Sequence, residues 1–137
     1  MKELVIHAPA KINLCLSVLD KRPDGYHEVE MLMQAVALYD TVTVRIEDRG
    51  LSVSCGAQGV PEGEGNIAWR AARAVLEHSP LKAGLSVSIQ KNIPVAAGLG
   101  GGSSDAAAVL AAANRLLGAG LSRQRLAEIG AGLGMDV

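Results

Sequence analysis

The chain contains no phenylalanine, one tryptophan and two tyrosines. An interior without large rings must be filled by Leu, Val, Ile, Ala and Met, so the expected core is aliphatic. Cysteine is equally scarce. Cys15 and Cys55 form no CxxC pair, and two thiols do not build a disulfide framework. Reduced, partly buried thiols of a cytosolic protein are the expectation. Neither charge is in excess, with 13 Lys and Arg against 14 Asp and Glu and a formal net charge of −1. Without basic runs, neither a nucleic acid nor a membrane surface is an expected partner. Long apolar runs are also missing. Leu4 to Ile6 stops at His7, which is no signal peptide, and the apolar stretch Ala106 to Leu117 contains Asn114 and Arg115 and is too short to span a bilayer. The cytoplasm is therefore the expected compartment, and 137 residues suffice for one compact domain.

What is present alternates along the first half. Ile12, Leu14, Leu16 and Val18 point one way while Lys11, Asn13, Cys15 and Ser17 point the other, the period of a strand with one face on a core. Pro9 sets an extended approach to it. Asp20 to Gly25 is a turn cluster, followed directly by Tyr26 and His27. Glu28 to Tyr39 is apolar and ambiguous between strand and helix. Val42, Val44 and Ile46 predict a strand, Leu51, Val53 and Cys55 a second one, and Glu47 to Gly50 would join the two as a hairpin. Gly56 to Gly65 reads as loop. Asn66 is a candidate N-cap for a helix over Ile67 to His78, and Leu85, Val87 and Ile89 predict another strand. Ser122 would cap a last helix that ends among Gly130 to Gly134. The fold class is α+β, with a mixed, mostly antiparallel sheet.

The stretch that carries chemistry is Pro94 to Leu110. Gly98, Gly100, Gly101 and Gly102 are followed by Ser103, Ser104 and an alanine-rich helical run. Glycine lets the backbone approach a ligand closely, a serine pair supplies an N-cap, and free N–H groups at a helix start bind anions. The spacing is not that of a P-loop, which needs Lys where Gly102 stands, nor of a dinucleotide fingerprint, which needs Gly where Ser103 stands. A glycine-rich turn that only lets strand and helix pack closely is the plainer reading, but four glycines and two serines exceed what packing requires. Phosphoryl transfer needs positioning, charge neutralisation and a carboxylate to take the acceptor proton. Lys11 shares a strand face with Asn13, and Asp136 is a carboxylate in a glycine-flanked turn. By spacing alone, a surface lysine and a terminal aspartate remain the plainer reading of that pair. Tyr26 and His27 could stack on a base or simply lie in a surface loop. His7, His27 and His78 share no metal-ligand spacing. Asp105 suits the helix dipole and reads as structural, turned away from phosphate.

These residues together resemble the GHMP kinases, small-molecule kinases that share a PxxxGLGSSAA signature. The match lies in Pro94 to Ala108, in Ala8 to Leu14 (APAKINL), in Arg22 to His27 (RPDGYH), in Asn66 and in Gly134 to Val137 (GMDV), and it points to the branch with a cytidine-diphosphate substrate. The resemblance implies the ribosomal protein S5 domain 2-like fold, with helices packed on one face of the sheet. It implies Lys11 and Asp136 as the catalytic pair, Asp136 being the base for the acceptor hydroxyl. Pro94, Val95, Ala96, Ala97, Gly98, Leu99, Gly100, Gly101, Gly102, Ser103 and Ser104 would hold the phosphates of ATP. Asn66, and with it Lys91, would contact the adenine, and Asn13, Tyr26 and His27 the cytidine-diphosphate substrate. The reaction implied moves the γ-phosphoryl of ATP, with Mg2+, to the 2-hydroxyl of a methylerythritol unit in isoprenoid biosynthesis. Another GHMP small-molecule kinase, or a non-catalytic S5-like binding domain, is the alternative. Members of the family are about twice as long, so residues 1–137 are expected to be an N-terminal ATP-binding domain, incomplete at its C-terminal end and without the second domain.

Overall fold

The computed structural model describes residues 2–21, 27–56, 60–94 and 100–134, and within residues 13–33 the backbone alone. Strands β1 (Glu3–Lys21), β2 (His27–Glu47), β3 (Leu51–Ser54) and β4 (Gly84–Gln90) form one sheet in the order β1-β2-β4-β3. Helices α1 (Ile67–Glu77), α2 (Gly101–Leu117) and α3 (Arg123–Leu133) and a short 3-10 turn at Gly63–Gly65 complete the described architecture. β1 pairs antiparallel with β2 and β2 with β4, whereas β3 pairs parallel with β4. The sheet is therefore mixed and mostly antiparallel, as the alternation predicts.

The hairpin expected across Glu47 to Gly50 does not form. β4 lies between β2 and β3, with Val44 opposite Val87 on one side and Val53 opposite Val87 on the other. The reason is that β3 leads into α1 before β4, and a strand followed by a helical crossover pairs parallel with the next strand. Local turn residues at 47–50 do not reveal a partner that arrives more than thirty residues later.

The core is aliphatic. Val42, Val44, Val53, Leu85, Val87 and Ile89 of the sheet pack with Ala71, Ala72 and Val75 of α1 and with Val109, Ala112, Ala113 and Leu117 of α2. The opposite sheet face carries Thr43, Arg45, Ser52, Ser54, Ser86 and Ser88, so the alternation separates core from polar surface. Arg45 donates to Glu3 across that face.

Glu28 to Tyr39, ambiguous in sequence, continues β2. From Ala10 opposite Val36 outward, β1 and β2 pair only with each other, because β4 reaches β2 only between Thr41 and Glu47. The β1–β2 pair thus projects past the four-stranded region as a two-stranded ribbon, with register irregularities at Pro9/Ala10 and Asn13/Cys15. This corrects the expectation for Ile12. Its face is the one that holds buried Ala8 and Ala10, yet Ile12 is 37% exposed because the ribbon has outrun the sheet that backs the core.

Asn66 caps α1, its Oδ1 accepting the Ala68 N–H at 2.8 Å while its Nδ2 donates to the Pro61 carbonyl at 3.0 Å. Ser122 caps α3 by accepting the Arg125 N–H at 3.1 Å. α2 runs to Leu117 and stops at Gly118, where φ is +60°. Its start differs from the expectation. Gly100, not a serine, is the N-cap, with φ +69° and no capping side chain, and Ser103 and Ser104 lie inside the first turn. A left-handed glycine lets the chain turn into the helix three residues earlier than a serine cap would.

Candidate active site

The approach to the glycine-rich loop leaves β4 at Gln90 and passes Lys91, Asn92 and Ile93. The loop returns at Gly100 and becomes α2. Gly100 O accepts the Ser104 N–H at 2.9 Å, the first bond of the helix. The N–H groups of Gly101, Gly102 and Ser103 precede that bond and have no partner within the helix, the arrangement that suits an anion. Val95, Ala96, Ala97, Gly98 and Leu99 lie outside the described residues, while Pro94 is exposed at the edge of the described part.

Lys11 of β1 meets this helix start. A Cβ placed on Gly100 would come within 3.0 Å of both Cγ and Cε of Lys11, so the lysine stem lies directly over the cap residue. Two stretches 89 residues apart, each singled out in sequence, are therefore brought together. Asn13 follows on the ribbon, its backbone opposite Met33, and His27 opens β2 opposite Lys21. The side chains of Asn13 and His27, the whole of Tyr26 and the whole of Asp136 lie outside the described residues.

Beneath the helix start is a buried ionic cluster that the sequence reading did not anticipate. Lys91 Nζ donates to Asp40 Oδ2 at 2.5 Å and to Asp105 Oδ2 at 2.9 Å. Asp40, fully buried in β2, also accepts the N–H groups of Asn92 at 2.7 Å and Ile93 at 2.9 Å through Oδ1. Burial acts to raise the Asp40 carboxyl, but the influence of neighbouring Asp105, the Ile93 amide, Lys91 and the Asn92 amide together holds it below the usual carboxylate range. Asp105 is different. Burial, reinforced by neighbouring Asp40, pushes its carboxyl up to about 7 against the pull of Lys91. Its Oδ1 is buried with no hydrogen-bond partner among the described residues. Burial works to lower Lys91, but the two carboxylates prevail and keep its ammonium above the usual lysine range.

Asp105 thus faces inward, as expected. Lys91, assigned to the adenine by resemblance, turns its ammonium to Asp40 and Asp105. Asn66 is 6% exposed with its side-chain amide engaged at the start of α1. One signal for the cluster was in the sequence. Asp40 interrupts an otherwise apolar, alternating segment, and a carboxylate there must find a partner.

Among the described residues no group of His, Cys, Asp or Glu could hold a metal ion, and no helix is long and apolar enough to cross a membrane. A lysine stem over a left-handed cap and amides without a helical partner make this end of the α+β fold a candidate anion site.

The chain belongs to the GHMP kinases, the family description "GHMP kinases N terminal domain" matching residues 66–137. It is 57% identical over 138 residues to 4-diphosphocytidyl-2-C-methyl-D-erythritol kinase of Geobacter metallireducens, covering 100% of this chain and 49% of that protein. The protein of the same name from Acetivibrio thermocellus is 47% identical over 137 residues, with 100% and 48% covered. A crystal structure of 4-(cytidine 5'-diphospho)-2C-methyl-D-erythritol kinase matches with a TM-score of 0.85 at 41% identity, over 98% of this chain and 47% of that one. Homoserine kinase from Cytophaga hutchinsonii, 23% identical with a TM-score of 0.74 over 97% of this chain and 41% of its own, shares the fold. The chain spans about half the length of the curated relatives it matches.

Proposed function

We propose that this chain is the N-terminal, ATP-binding domain of a kinase that phosphorylates the 2-hydroxyl of 4-(cytidine 5'-diphospho)-2-C-methyl-D-erythritol. The remaining length found in the relatives would supply the second domain. The observation that carries the reading is the meeting of Lys11 with Gly100 at the start of α2, which puts a cation beside a phosphate cradle.

In this reading the N–H groups of Gly101, Gly102 and Ser103, with the loop from Pro94 to Leu99, hold the phosphates of ATP. The acceptor oxygen attacks the γ-phosphorus, the bond to the β–γ bridging oxygen breaks, and ADP leaves. Asp136 takes the hydroxyl proton as general base, and the Lys11 ammonium offsets negative charge on the attacking and transferred oxygens. Mg2+ enters with the nucleotide as the MgATP substrate, since Asp40 and Asp105 beneath the helix start are engaged by Lys91. Asn13, Tyr26 and His27 hold the cytidine diphosphate. Asn66 acts at the adenine through its place at the head of α1. A cytoplasmic location accords with soluble, phosphorylated reactants.

The test uses the full-length gene product with MgATP and the cytidyl substrate, following ADP release and product mass. Phosphorylation of homoserine or mevalonate, but not of the cytidyl substrate, would replace this reading with another GHMP kinase. Lys11→Ala and Asp136→Ala should each lower kcat by about 10²-fold or more. Losses below about tenfold would remove the two residues from the chemistry and favour a binding domain.

A further inference from the structure

The glycine-rich loop is held at both ends by one buried ion cluster. At its approach, Asp40 Oδ1 takes the N–H groups of Asn92 and Ile93, while the Asn92 side-chain Nδ2 donates to the Tyr39 carbonyl at 3.1 Å. At its return, Asp105 in the first turns of α2 is tied to Lys91. Lys91 joins the two ends, since the same ammonium also donates to Asp40. It lies immediately under the helix start, where a Cβ on Gly101 would be 3.2 Å from Nζ. We propose that Asp40, Lys91 and Asp105 form a clamp that positions the phosphate loop and balances charge beneath it, with Lys91 as the positioning residue.

The physical case has two parts. The first is geometric. Amides at a helix start bind an anion more tightly when their position is fixed in advance. Tying residues 91–93 and the start of α2 to one buried centre is such ordering. An interior ion pair is a weak source of stability, because desolvation offsets most of its attraction. Registry of the α2 start against residues 91–93 is the better account of three charged groups buried together there.

The second part concerns charge. Among the described residues, the charged groups that face Asp105 are Asp40 from β2 and Lys91 from the segment after β4, and Lys11 of β1 lies over Gly100 at the helix cap. With Asp105 protonated the clamp is neutral. With Asp105 ionised it carries one negative charge directly under the bound phosphates. Burial and the Asp40 carboxylate bring that proton exchange up to about 7. Nucleotide affinity should therefore fall as pH rises through neutrality, and phosphate binding should draw a proton onto Asp105.

The inference rests on the phosphate-binding role of the loop, and the experiment separates the two. Full-length parent, Lys91→Met and Asp105→Asn proteins are titrated with MgADP between about pH 6 and 8.5, and amide hydrogen exchange is followed at Asn92, Ile93 and Val87. Lys91→Met should weaken MgADP at least about tenfold and speed exchange at Asn92 and Ile93, with Val87 in β4 unchanged. Asp105→Asn should lose the part of the pH dependence that the parent shows beyond titration of the nucleotide itself. A merely structural lysine would lower stability without altering that profile. The proposal is overturned if Lys91→Met leaves affinity within about twofold and the two amides protected. It is equally overturned if Asp105→Asn keeps the parent's pH profile, which decides the matter should Lys91→Met not fold. If the parent itself binds no MgADP, the kinase reading fails, and the exchange at Asn92 and Ile93 alone decides the clamp.

Discussion

At the scale of single residues, Gly100 and Asp105 carry distinct liabilities. Gly100 has φ +69°, and any Cβ there meets the Lys11 stem at 3.0 Å. Gly100→Ala should destabilise by about 1–3 kcal/mol through the left-handed backbone alone. It should also displace Lys11, so MgADP binding weakens by more than the stability loss explains. Thermal melting and nucleotide titration on the same preparation check this. Asp105 makes stability depend on pH with an unusual sign. Its carboxyl is raised from 3.8 to about 7, so the folded chain holds the proton more tightly than the unfolded one. That contribution is full below the unfolded value and is lost as pH rises through about 7. Asp40, lowered mainly because its hydrogen bonds overcome burial, works the other way and contributes until acid protonates it. The parent's melting temperature should therefore decline between about pH 5 and 8, and Asp105→Asn should flatten that decline. An unchanged slope in the variant would assign the decline to other groups.

At the scale of elements, the threading of β4 is the sharpest constraint. Gly84 begins β4 beside the turn after β2, the Leu85 N–H donating to Gly50 O at 3.0 Å, and a Cβ on Gly84 would collide with the backbone of Arg49 and Gly50. Gly84→Ala should thus pry β4 from the 49–50 turn and lower the melting temperature more than Gly132→Ala, where a Cβ meets nothing. Equal effects would show that the turn yields. Elements with local signals were legible in the sequence. The caps at Asn66 and Ser122 and the stop at Gly118 follow from residue chemistry within a few positions. What sequence did not disclose depends on distant partners. β3 chooses β4 over β2, Ile12 loses its cover because the ribbon outruns the sheet, and Lys91 turns from solvent toward Asp40 fifty-one residues away. The helix start was misread by three residues because a left-handed glycine cap leaves no side-chain signature. The candidate site was half legible. The loop announces itself by type and spacing and Lys11 only by resemblance, whereas the cluster beneath them is visible only once three elements are packed.

At the scale of the molecule, a slot in the middle of the sheet is filled last. β1 and β2 can pair as soon as residue 47 is available, but β4, which enters between β2 and β3, is made only after α1. During synthesis from the N-terminus, the Thr41 to Glu47 edge of β2 therefore stays open while about forty further residues are made. An open edge with Val42, Val44 and Ile46 alternating along it invites pairing between neighbouring chains. A chain ending at residue 83 should aggregate in a concentration-dependent way in cell-free translation, and one ending at residue 93 should do so markedly less. Equal solubility would show that the β2 edge is protected by other means. The parallel crossover that leads the glycine-rich segment out of a central strand thus sets a timetable: that segment is made at the moment the sheet closes, and a ribosome that pauses before Gly84 leaves the domain at its most adhesive.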